Sequence, residues 1–140
     1  MKILIISIVL FVSSIAGIGV GTVDGQTKRK LSSTPVAFQA FYAKFKAAVI
    51  KRDRNAVVSL TSFPFQYGWD AGDEGTYARS QFLAKYNDIF RGTRKLFAQQ
   101  NPTFYVENGS YGLTNEADAS HYMFEKRGSV YKFNSFMVEP

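Results

Sequence analysis

His121 is the only histidine in the chain, so a hydroxyl–histidine–acid triad or an imidazole-led acid–base scheme would have to run through it. It opens the stretch His121–Lys126, where Tyr122 and Phe124 alternate along one strand face. If those rings form core, His121 points outward and is not expected to be catalytic. An acid-led scheme needs a carboxylate shielded from water beside a substrate. Glu107 and Glu125 are the acids in strand-like stretches; parity turns Glu125 outward and leaves Glu107 undecided. Asp70, Asp73 and Glu74 lie in a glycine-rich stretch, but a calcium loop needs alternating oxygen ligands closed by a distal bidentate acid. Asp70-Ala71-Gly72-Asp73-Glu74-Gly75 lacks that spacing and reads as a solvated loop. One histidine and no cysteine make no zinc pattern. No metal or cofactor is expected. Tyr67 and Trp69 follow Phe65 at a loop edge, where an aromatic can line a pocket mouth or pack on a rim.

These residues have to be positioned by elements that the apolar spacing outlines. Thr34-Pro35 is expected to open a helix, with Thr34 as N-cap and Pro35 at the first helical position. Phe38, Phe41, Tyr42, Phe45 and Val49 then fall on one helical stripe. Asp53 can cap a second, shorter helix carrying Ala56, Val57 and Leu60. Pro64 pushes Phe63 out of helical conformation, so the chain turns extended, with a short strand over 65–69 and a loop over 70–75. A third helix over about 78–90 carries Phe82, Leu83, Tyr86, Ile89 and Phe90, and a short turn follows around Lys95-Leu96-Phe97. Beyond Asn101 the period becomes that of strands: 103–107, then a hairpin of 121–126 and 129–138. Tyr131 and Phe133 share one face of the closing strand, and Val130, Phe136 and Val138 are expected on the opposite, outer face.

The ends and the composition bound the rest. Lys2 precedes an apolar run over 3–12 and small residues over 13–17, the order of a cleavable export signal. Glycines and serines dilute its second half before Asp24, short of the roughly 20 apolar residues of a spanning helix. We expect a signal peptide over 1–25, with Gln26 first in the mature chain, and an exported protein, periplasmic or extracellular. Residues 26–34, with Lys28-Arg29-Lys30, read as a flexible solvated leader. Residues 35–140 form a single domain, which without cysteine must hold together by its core. Its 13 Phe and 8 Tyr supply the apolar area. The net charge of +6 is scattered, so neither nucleic acid nor, after cleavage, a membrane is an expected partner. Asn108-Gly109-Ser110 matches a glycosylation sequon but reads as an ordinary turn.

Helices followed by an antiparallel sheet make an α+β layout, with N-terminal helices packed on one side of a curved sheet. The first aromatic helix, Asp53…Leu60-x-x-Phe63-Pro64-Phe65, Phe82…Tyr86…Ile89-Phe90 and Tyr122-x-Phe124…Gly128…Tyr131-Lys132-Phe133…Phe136 together resemble the nuclear transport factor 2-like superfamily. This superfamily includes proteins similar to ketosteroid isomerase and the SnoaL-like cyclases. A cystatin-like or unrelated α+β fold is the alternative. The resemblance covers 35–138 and rests on packing residues. It implies a cone-like roll whose pocket takes Tyr67, Trp69, Tyr86, Glu107, Phe124 and Tyr131 as candidate lining, and a homodimer through the sheet face. The enzymes of the superfamily place an acid in the cone, and no motif here supplies one. The expected function is a non-catalytic module that binds a small apolar ligand or another protein. The alternative is an isomerase, cyclase or hydrolase working in the cone pocket.

Protein isolated from its native host should begin near Gln26 by N-terminal sequencing, and an intact Met1 in a membrane fraction would rule cleavage out.

Overall fold

The computed structural model describes residues 27–140; the export signal expected at 1–25 lies outside the described residues. The first long helix, α1 (Val36–Lys51), buries Phe38, Phe41, Tyr42, Phe45, Ala48 and Val49 along the stripe that the spacing demands. Its start differs from the expected cap by one residue. Pro35 precedes the helix, and its carbonyl accepts from the N–H groups of Phe38 and Gln39. Thr34 instead donates its hydroxyl back to the Leu31 carbonyl at 2.6 Å. Arg52, at φ 55°, ends α1, and the Asp53 carboxylate then accepts from Ala56 N–H at 3.0 Å to open α2 (Arg54–Ser59). The third helix, α3 (Arg79–Ile89), buries Phe82, Tyr86 and Ile89, and α4 (Arg94–Ala98) buries Leu96 and Phe97.

Seven strands form one open, curved sheet: β1 (Thr27–Lys30), β2 (Thr61–Gly68), β3 (Glu74–Tyr77), β4 (Thr103–Glu107), β5 (Ser110–Asn115), β6 (Ser120–Arg127) and β7 (Val130–Val138). Their order is β1-β4-β5-β6-β7-β2-β3, antiparallel at every pairing except β2 with β7. The fold class is therefore the expected one, helices over a curved sheet, with one parallel pairing inside it. Asn108 and Gly109, both at positive φ, make the β4–β5 turn, and Gly128 at φ 62° opens the β6–β7 turn.

Three expectations are corrected. Residues 27–33 are not a flexible leader: β1 pairs with β4 from Thr27↔Val106 to Lys30↔Thr103, and Leu31 N–H donates to Pro102 O at 2.9 Å. Its side chains bury nothing, so the backbone ladder holds it. Its Lys28-Arg29-Lys30 run then lies on an edge strand, where charge discourages pairing with another chain. Second, the 70–75 loop is shorter than expected, because Glu74 and Gly75 already belong to β3 and pair with Gly68 and Tyr67. Third, Phe136 and Val138 do not share the outer face with Val130. The β6–β7 register steps from Phe124↔Phe133 to Met123↔Ser135, leaving Asn134 as a bulge. One extra residue reverses the facing of all that follows. Phe133 and Phe136 are thus both buried against the helices, while Val130 is 52% exposed.

The core lies between α1, α3 and the concave side of the sheet. Phe38, Phe45, Phe82, Phe124 and Phe133 are fully buried there, in ring-to-ring contact with several neighbours each. Phe124→Ala and Phe82→Ala should each lower unfolding free energy by ~3–5 kcal/mol in a denaturant titration. Losses under about 1 kcal/mol would mean that these rings are not packed as described.

Candidate functional site

The concavity of the roll, where a pocket was expected, is occupied by side chains. Phe124 has the rings of Phe38, Phe41, Tyr42, Phe45, Phe104 and Phe133 at centroid distances between 5.1 and 6.3 Å. Tyr131 is also core: it packs edge-on to Phe38 at 5.2 Å and is 6% exposed. The hydroxyl of Tyr122, fully buried, donates to the Ile89 carbonyl at 2.7 Å. Neither Phe124 nor Tyr131 lines a cleft, because both are spent on packing α1 to the sheet.

Trp69 does line one. A cleft of about 360 Å³ has Trp69, Phe136 and Val138 as its apolar wall, with Asp73, Lys85, Asp88, Arg91 and Asp118 around it. The bulge at Asn134 brings Phe136 there, 4.9 Å from the Trp69 ring. The hairpin of β2 and β3 holds the indole from the other side. Its Nε1–H donates to the Tyr77 hydroxyl at 2.8 Å, and Tyr77 stacks on Tyr67 at 3.9 Å and 11°. Trp69 N–H also donates to Asp73 O at 2.7 Å, closing the turn. Trp69 is therefore fixed at both ends, and Tyr67 acts behind it as a support. On the far wall, Asp118 accepts from the hydroxyl of the buried Ser120 at 2.5 Å and from its N–H at 3.2 Å. The sequence reading picked out Trp69 and missed Lys85, Asp118, Phe136 and Val138. Phe136 and Val138 were missed because the bulge that turns them inward has no signal in the alternation.

The remaining candidates lie elsewhere. Tyr86 lines a different cleft between α1, α3 and α4. Glu107 is exposed on the outer sheet face: Phe104 and Val106 turn inward, so Tyr105 and Glu107 turn outward. His121 is also on the outer face, as parity implied. Its Nδ1 lies 3.0 Å from Thr114 Oγ1 on β5, and its Nε2 lies 2.7 Å from Glu139 Oε1. Hydroxyl, imidazole and carboxylate in this sequence are the parts of a nucleophile relay. Here they span a flat sheet surface, with Glu139 65% exposed, and work as a cross-strand tie that pins the end of β7. The expected lining residues are thus not brought together. Trp69 lines one cleft with Tyr67 behind it, Tyr86 lines another, Phe124 and Tyr131 are core, and Glu107 is outside. Among the described residues, no group of three or more His, Asp or Glu side chains is placed to hold a metal ion.

Several solved structures are similar in fold. A protein with a cystatin-like fold from Caulobacter vibrioides is 12% identical, with 74% of this chain and 89% of that chain covered at a TM-score of 0.43. A "putative ketosteroid isomerase" from Kribbella flavida is 13% identical, covering 72% and 76% at a TM-score of 0.43. An NTF2-like protein of unknown function from Cytophaga hutchinsonii is 12% identical, covering 76% and 92% at 0.41. No family model and no curated protein matches the chain. The fold assignment stands on the strand order and layering of this chain.

The filled interior has a consequence in alkali. Burial raises the Tyr42 and Tyr122 pKa well above the ordinary tyrosine range, and burial, then Glu107 and Glu139, push Tyr105 up to about 12. A raised folded pKa means that the unfolded chain loses its protons first. Stability from these three is complete below about pH 10 and falls as pH rises toward and past 12. Absorbance at 295 nm should show Tyr42 and Tyr122, the two in the interior, ionising only on unfolding, and Tyr105 on the outer face titrating late, near 12. Titration of every tyrosine near pH 10 in a still-folded protein would contradict the packing.

Proposed function

We propose that this chain is an exported, non-catalytic binding module that holds a small apolar ligand, or an apolar side chain of a partner, in the cleft beside Trp69. The observation that carries this reading is the filled concavity. The volume in which an enzyme of this architecture would shield a substrate is taken by Phe38, Phe45, Phe124 and Phe133, all fully buried. Among the described residues, the buried polar side chains other than tyrosine are Thr, Ser and Asn and include no carboxylate or imidazole, which favours a binding role over acid–base chemistry in the interior. Binding moves to the rim, where a pinned indole faces Phe136 and Val138. A cleft of about 360 Å³ is at the small end of ligand sites, which typically run roughly 300–1,000 Å³. An indole fixed by Tyr77 loses little freedom when a ring stacks against it, so its contact area converts well into affinity. Lys85, Asp73 and Asp118 around the cleft would orient a polar substituent on that ring. The export reading is supported by the Lys2-led apolar run and its small-residue end.

Trp69 is the only tryptophan, so its indole N–H gives one isolated proton resonance. Titration with 2-naphthol, a neutral bicyclic probe, should shift that resonance saturably. Val138→Lys, which fills the cleft from β7 with a long charged side chain, should abolish the shift while the protein stays folded. No shift up to the solubility of the probe, or a shift that survives Val138→Lys, would overturn the assignment.

A further inference from the structure

A second cleft lies on the helical side of the molecule, where the ends of α1 and α3 meet the start of α4. It measures about 570 Å³. Val49, Phe90 and Phe97 give it an apolar floor, and Arg52, Arg91 and Arg94 bring guanidinium groups to it from three different segments. No carboxylate is among its lining residues. Two acids lie nearby and are engaged. Asp88 pairs with Arg91 at 2.6 Å, and Asp53 accepts the α2 capping bond at 3.0 Å. Arg54 adds a further positive charge, 5.2 Å over the ring of Tyr86.

Tyr86 makes this more than a basic patch. It lines the same cleft and is only 3% exposed, yet its buried hydroxyl has no hydrogen-bond partner. A buried polar group left unpaired is costly and uncommon; Tyr42 Oη and Asn134 Oδ1 share that state, but of the three only Tyr86 belongs to the arginine-lined cleft, where a bound anion would supply the partner. A hydroxyl can donate to an anionic oxygen, and guanidinium groups can engage phosphate or carboxylate oxygens through paired N–H donors. Burial raises the pKa of the same hydroxyl, and the positive fields of Arg54 and Arg52 act on it against burial and against the nearby Asp53 carboxylate.

We propose that this cleft binds a small organic anion, a phosphate or carboxylate carried on an apolar body, with Arg52, Arg94 and the Tyr86 hydroxyl on the head group and Phe90 and Phe97 under the body. The site is separate from the cleft beside Trp69, and its ligand is of a different class. Arg52 and Arg94 are exposed and do not support the core, so the head-group contacts can be removed without unfolding the protein.

The test follows the Gly92 and Thr93 amide resonances at low ionic strength, with phenyl phosphate, benzoate, inorganic phosphate and benzyl alcohol as probes. Phenyl phosphate or benzoate should bind saturably, and the tighter of the two identifies the head group. Inorganic phosphate should bind more weakly, and benzyl alcohol should leave these resonances in place. Arg52→Ala and Arg94→Ala should each weaken binding about 10-fold. Tyr86→Phe should weaken it at least about 3-fold without lowering the denaturation midpoint, because it removes a hydroxyl that is buried and unpaired in the free protein. Val138→Lys, at the other cleft, should change nothing here, so failure at one site is distinguishable from failure at the other. The proposal is overturned if neither aromatic anion binds by about 10 mM. It is equally overturned if binding survives the Arg52→Ala/Arg94→Ala double variant, or if inorganic phosphate binds as tightly as phenyl phosphate.

Discussion

Phe124 is the residue on which the architecture converges. It is on β6 between β5 and β7, and it receives Phe38, Phe41, Tyr42 and Phe45 from successive turns of α1. A chain with no disulfide has to gain its stability from this kind of burial. The curvature of the sheet and the length of the α1 stripe are matched: α1 presents rings where the sheet would otherwise enclose a hollow. A neighbouring centre at Phe133 gathers Phe45, Phe65, Phe82 and Phe90, which ties α3 and β2 to the same body. Stability and an interior pocket compete for one volume here, and the rings have taken it.

That competition pushes binding to the perimeter, and the Asn134 bulge decides where on the perimeter. Without the extra residue, alternation from Phe133 would send Phe136 to the outer face and leave the indole of Trp69 without its partner. With it, Phe136 and Val138 turn inward and make the wall of the cleft. The same shift turns Met137 to the outer face, where it joins Val130 and Tyr105 among polar side chains that include Glu107, His121, Glu125 and Lys132. The apolar stripe expected from Val130, Phe136 and Val138 does not form, because only Val130 of the three faces outward.

What was legible in the residues followed periodicity. The helical stripe of Phe38 to Val49, the Asp53 cap, the β4 strand and the closing hairpin all come from local spacing and capping chemistry, which the tertiary structure reinforces. What was not legible depended on partners distant in the chain. Thr27–Lys30 has no apolar residue to mark it as a strand; only the open edge of β4 makes it one. The β3 strand, rich in polar residues, exists because β2 lies beside it. The lining of the Trp69 cleft combines Lys85 from α3, Asp118 from a turn and Phe136 from β7, and no sequence pattern joins the three. Trp69 stands out by type as a lone indole at a loop edge, and Tyr86 is named as pocket lining only through the family resemblance; the arginines that share its cleft, Arg52, Arg91 and Arg94, carry no local signal.

The two clefts meet on α3, and its periodicity explains how one short helix serves both. Phe82 and Ile89 anchor it to the core. Lys85 and Asp88, three residues apart, lie on the side that faces Trp69, while Tyr86 and Asn87 look toward the arginine-rich cleft. Arg91, just past the helix end, is on the rim of both. Its ion pair with Asp88 is an exposed one, with the guanidinium side chain 80% accessible, and such pairs typically contribute only ~0–1 kcal/mol. Arg91 is therefore inexpensive to redirect. Among the described lining residues, Arg91 is the one side chain common to both clefts, so α3 and the residue after it form the wall that separates the two sites.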